Sequence, residues 1–102
     1  SKKKSKKDDG TLVIDLHADE VLETTAGMNS ADILHYQMDI FKKTMAENKK
    51  NKGQKIIFIH GKGEGVLRQA LIHELNYRYK NCTYQDASFQ EYGYGATQVT
   101  IR

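Results

Sequence analysis

Two segments of this 102-residue chain carry side chains that can do chemistry: Asp15-Leu16-His17 and His60-Gly61-Lys62-Gly63-Glu64-Gly65. A neutral imidazole can take a proton from an attacking oxygen, and a protonated one can give a proton to a leaving oxygen. Asp15 can orient an imidazole or hold a divalent cation such as Mg2+, and both roles stay open. Glycines at 61, 63 and 65 let the backbone approach an anion closely, while Lys62 and Arg68 add positive charge. An acid, two imidazoles and an anion cradle suit hydrolysis of a phosphodiester. Asp15, His17 and His60 are therefore the candidate catalytic residues. Gly61, Lys62, Gly63, Gly65 and Arg68 are the candidate phosphate-binding ones. Each segment also has a plain structural reading. Asp15 can cap the loop after a strand, and tight turns use glycine without any ligand. The glycine spacing is neither a Walker A loop nor the dinucleotide fingerprint, whose third glycine would fall at Val66.

These groups meet only if the elements beneath them bring them together. Thr11–His17 alternates as a strand, with Leu12, Ile14 and Leu16 on one face and Val13, Asp15 and His17 on the other. Residues 18–29 read as irregular. From Ser30, Leu34, Met38, Phe41 and Met45 recur at helical spacing, with Asn29 or Ser30 as cap, a fade through the polar run 47–52 and a stop at Gly53. Lys55–His60 is almost wholly apolar, as expected of a central strand buried on both faces. A second helix is predicted from Val66 to about Lys80, with Leu67, Leu71, Leu75 and Tyr79 on its stripe. Strands at 82–88 and 96–102, joined by a turn at 90–95, complete the order β-α-β-α-β-β. That order predicts a four-stranded mixed sheet with two helices, the first two strands parallel. Ligands in open α/β sheets bind beyond the carboxyl ends of the strands, where Asp15, His17, His60 and the glycine turn should all lie.

Charge narrows the partners. The formal net charge is +3, from sixteen basic and thirteen acidic residues. Residues 1–9 hold five of the lysines and two of the aspartates, so residues 10–102 are neutral, with eleven of each. Phosphate affinity must then come from a local arrangement rather than a global field. Residues 1–10 read as a disordered basic tail or linker, and residues 11–102 as the domain. Cys82 stands alone, so an intracellular, reducing compartment is expected, the cytoplasm first. No apolar run approaches a membrane span, and no membrane partner is expected. The opening Ser-Lys, in place of Met, suggests an excised piece of a longer protein. His35 and His73 fall off the apolar stripes and are read as solvent-facing. The tyrosines crowding the C-terminal third are read mainly as packing groups.

The segment Asp15-Leu16-His17, the run Ile59-His60-Gly61-Lys62-Gly63-Glu64-Gly65-Val66-Leu67-Arg68, and Gly95-Ala96-Thr97 with Val99 together resemble the Smr (small MutS-related) domain over about residues 11–102. The resemblance implies a two-layer α/β sandwich similar to the C-terminal domain of translation initiation factor three. It also implies binding of DNA or RNA, with nicking or RNA-cleaving endonuclease activity in several members. The implicated residues correspond here to Asp15, His17, His60, Gly61 and Gly63. Ile14 stands where Leu is frequent, Ala18 stands where glycine is usual, and residues 18–29 form a longer link. The alternative is a non-catalytic nucleic-acid-binding or protein-interaction module of a larger protein.

Overall fold

A computed structural model describes residues 4–61, 65–93 and 95–102. Its strands are β1 (Lys4–Lys6), β2 (Leu12–Asp15), β3 (Lys55–Ile59), β4 (Cys82–Asp86) and β5 (Ala96–Ile101). They form one mixed sheet in the order β1-β2-β3-β5-β4. The expected parallel pair is present: β2 lies beside β3 with Asp15 opposite Ile59. β5 runs antiparallel to both β3 and β4. The carboxyl ends of β2 and β3 therefore share one end of the sheet with the start of β5.

Two long helices, α2 (Ser30–Glu47) and α3 (Val66–Arg78), bury their apolar stripes on a single face of this sheet. Met38, Phe41 and Met45 of α2 and Leu67, Leu71 and Leu75 of α3 pack with Ile14, Leu16, Ile56, Phe58, Val99 and Ile101. Phe41 stands edge-on to both Phe58 and Tyr79, with ring centroids 4.9 and 5.7 Å apart. The architecture is the two-layer α/β class. The opposite face carries a smaller cluster, Ile57, Ala87 and Ala96 with Val13, Ile59 and Tyr92 against it. The segment between β4 and β5 folds over this second face. It includes a single helical turn, α4 (Phe89–Tyr92).

Local chemistry explains the boundaries. Asn29 closes α2 with a reciprocal capping box: its Oδ1 accepts from the Asp32 N–H at 2.8 Å, and Asp32 accepts from the Asn29 N–H at 3.2 Å. Such a cap contributes about 1 kcal/mol. The helix ends at Glu47, where the polar run in which it was expected to fade begins. Asn48 is buried and donates through Nδ2 to the Thr44 carbonyl, turning the chain there.

Three expectations are corrected. The sheet has five strands, not four, because Lys4–Lys6 pairs antiparallel with the open edge of β2. The same pairing removes residues 4–6 from the disordered tail expected over 1–10. Lys7, next in the chain, forms a 2.9 Å ion pair with Glu91 and lies over the Tyr92 ring. Finally, the irregular stretch at 18–29 holds one helical turn, α1 (Ala18–Val21), anchored by the buried Val21. Among the described residues, no helix is long and apolar enough to cross a membrane.

Candidate functional site

The carboxyl end of β2 delivers Asp15 and His17 to the face away from the long helices. Asp15 is opposite Ile59, which belongs to the cluster on that face. One carboxylate oxygen of Asp15 accepts twice from His17, from the backbone N–H at 2.9 Å and from ring Nδ1 at 2.8 Å. This double contact fixes the imidazole's orientation. With the proton on Nδ1, Nε2 is the basic nitrogen. Nε2 lies against Gly61, so close that a Cβ on that glycine would stand 2.8 Å from it. Gly61 also has φ of +79°, a left-handed conformation that glycine adopts without strain. Two separate constraints thus require glycine at 61.

His60 is one residue away and does something different. Strand alternation puts it with Ile56 and Phe58 on the helix-facing side, and it is only 8% exposed. Its Nδ1 donates to the Gly61 carbonyl at 3.0 Å, because a carbonyl can only accept. Its Nε2 is then the acceptor for the Thr97 hydroxyl at 2.9 Å. Both nitrogens are committed inside the protein. Burial pushes the imidazole below its ordinary value of 6.5, with the Gly61 hydrogen bond opposing that shift. A His with a depressed folded value stays neutral while the unfolded chain takes up a proton. Stability is therefore expected to fall as pH drops below about 6.5, and His60→Gln should flatten that slope. Denaturant unfolding at pH 7.5 and 5.5 measures it; equal pH slopes in parent and variant would contradict this account.

Gly95 and Thr97, read from the sequence only as part of the third motif segment and not as site residues, also belong to this end of the sheet. The signal for Thr97 was a hydroxyl at a core-facing position of the last strand, in line with Val99 and Ile101. Gly95 accepts at its carbonyl from the amides of both His60, at 2.8 Å, and Gly61, at 3.0 Å. Its own α-carbon leaves no room, since a Cβ there would stand 2.7 Å from the Gly61 α-carbon. The end of β3 and the start of β5 are thus packed backbone on backbone.

α3 starts after Gly65, which has φ of +77° at the N-cap and provides no side-chain cap. The first amides of α3 open at the same sheet end as His17. Lys62, Gly63 and Glu64 lie outside the described residues, so the phosphate-binding reading of Lys62 and Gly63 has no geometry here. Arg68 is partly exposed and already paired: its guanidinium is 3.3 Å from Asp86. An anion at the turn would have to share it. Among the described residues, no group of three His, Cys, Asp or Glu side chains is placed to hold a metal ion. The sheet end thus brings together Asp15, His17, Gly61, Gly65 and the start of α3. His60 lies below them as a buttress, and the expected ring of two free imidazoles is reduced to one.

The Smr-domain family model matches residues 26–102, more than half of the chain. The match takes in His60, Gly61, Gly65, Arg68 and Gly95, and begins after Asp15 and His17. No curated protein and no solved structure gives a significant match to the chain.

Proposed function

The chain belongs to the Smr domain family, a membership consistent with nucleic-acid binding, and from that premise we propose that it is an endonuclease domain acting at the Asp15–His17 end of the sheet. The observation that carries this reading is the paired contact of Asp15 with His17, which leaves Nε2 against Gly61 at the end of the sheet from which the chain goes on to α3. A phosphate seated on those amides would be stabilised by the helix terminus. His17 Nε2 would take the proton from the attacking oxygen as the new P–O bond forms. The bond to the leaving oxygen then breaks, that oxygen takes a proton from solvent water, and the His17 imidazolium releases its own proton to solvent, which restores the neutral ring. Asp15 would stabilise the imidazolium that forms in between, as a carboxylate behind a catalytic histidine does. His60 serves as a positioning residue, holding the Gly61 carbonyl and the start of β5. Lys62, Gly63 and Arg68 add to the phosphate site in this reading.

A second reading has its own support. His60 has both nitrogens engaged, so the site offers one free imidazole rather than an acid–base pair. A module that binds nucleic acid without cutting it would need no more than this. Incubating the parent with branched DNA, single-stranded DNA and structured RNA, with and without Mg2+, separates the two. Cleavage of any substrate above the protein-free control supports the nuclease; binding with no cleavage of all three supports the binding module.

A further inference from the structure

On the helix-facing side of the same turn lies a cleft of about 560 Å3 between the N-terminal ends of α2 and α3. Its lining includes Leu34 of α2 and Val66 and Leu67 of α3, with Gln37 and Arg68 as polar groups. His60 and Gly61 also line it, which makes it continuous with the turn that His17 touches. Val66 is 55% exposed at its mouth. Gln37 donates through Nε2 to the Leu16 carbonyl at 2.7 Å, and its Oε1 has no hydrogen-bond partner among the described residues. A cleft of this size, mostly apolar with a few polar groups, is the usual form of a small planar ligand's site.

We propose that this cleft takes one unpaired nucleobase from the nucleotide next to the phosphate held at Gly61–α3, so that the substrate is unpaired nucleic acid rather than continuous duplex. The proposal rests on the reading of that sheet end as the phosphate site. Apolar walls suit the faces of a base, and Gln37 Oε1 suits one of its N–H groups. A base can enter only if it is neither paired nor stacked in a helix. Charge points the same way. With the strand at Lys4–Lys6 counted in, residues 4–102 hold fourteen basic and thirteen acidic groups, so the domain has almost no net positive field to track a duplex backbone. Affinity must then come from a local contact, and burying a base provides one.

The test is an abasic scan with the full chain. Short single strands of DNA and of RNA, each with one abasic nucleotide at successive positions, are measured for affinity beside the matching duplexes. On the sugar that binds more tightly, abasic substitution at one position should weaken binding about tenfold, the scale of one buried base. Ala31→Phe, at the exposed lip of the cleft, should impose a similar loss on the intact strand and abolish the dependence on the abasic position. Val66→Ala should weaken the intact strand less. Affinity that ignores the abasic position on both sugars, or duplexes that bind as tightly as single strands, would overturn the proposal while leaving the phosphate-site reading intact. If no strand binds the parent, both fall.

Discussion

His17→Ala is expected to slow phosphodiester cleavage by about 10²–10⁴-fold, the usual cost of a lost general acid or base, and to leave nucleic-acid affinity nearly unchanged. The separation of rate from affinity follows from position. His17 Nε2 lies against the α-carbon side of Gly61, whereas a bound phosphate would take its hydrogen bonds from the α3 amides. Asp15→Asn should give a smaller loss, because Asn keeps an acceptor oxygen for the His17 N–H groups but not the charge that stabilises an imidazolium. His60→Gln should mainly lower stability, since His60 bonds are internal and its nitrogens face protein groups. Cleavage rate, affinity and unfolding are measured on the same preparations. A His17→Ala variant that cuts at the parental rate would remove this residue from the mechanism.

Gly95→Ala is expected to destabilise the fold by about 3 kcal/mol, a large effect for a single methyl group. The added Cβ would stand 2.7 Å from the Gly61 α-carbon, 2.8 Å from its carbonyl carbon and 3.1 Å from its nitrogen. All three are backbone atoms, and no rotamer change relieves them. Separating the strands would stretch the two hydrogen bonds to the Gly95 carbonyl and move Gly61 relative to His17. The variant should therefore lose activity as well as stability, unlike His17→Ala. Denaturant titration gives the stability difference; a loss below about 1 kcal/mol would mean that the two strands can part at little cost.

That Asp15, His17 and Gly61 meet at one end of the sheet was legible because the candidate site is written in short, ordered segments. Alternation in Leu12–Leu16 and the apolar run at 55–59 give two parallel neighbours, and parallel neighbours share their carboxyl ends. His60 was harder to place. An apolar run buried on both faces carries no contrast between its two sides, so the turn from Phe58 to His60 gave no hint that the imidazole faces the helices. Parity does give it: two residues after Phe58, a side chain returns to the same face. The strand at Lys4–Lys6 could not be read locally. Its residues have no apolar pattern, and what holds them is the backbone edge of β2 together with the Lys7–Glu91 pair, which joins residues 84 positions apart. The end of α2 was legible only as a fade through residues 47–52: the buried Asn48 fixes it at Glu47 through its own side chain, a contact that composition does not announce.

The central claim is that nucleic acid meets this protein at the end of the sheet formed by Asp15, His17, Gly61 and the start of α3. Titrating a short single-stranded oligonucleotide into isotope-labelled protein and following amide and imidazole signals tests it most directly. The account predicts that the Gly61, Gly65, Val66 and Leu67 amides and the His17 ring shift together along one saturating curve. Shifts confined to the opposite end of the sheet, around Lys52 to Gln54, with the His17 ring unmoved, would contradict it.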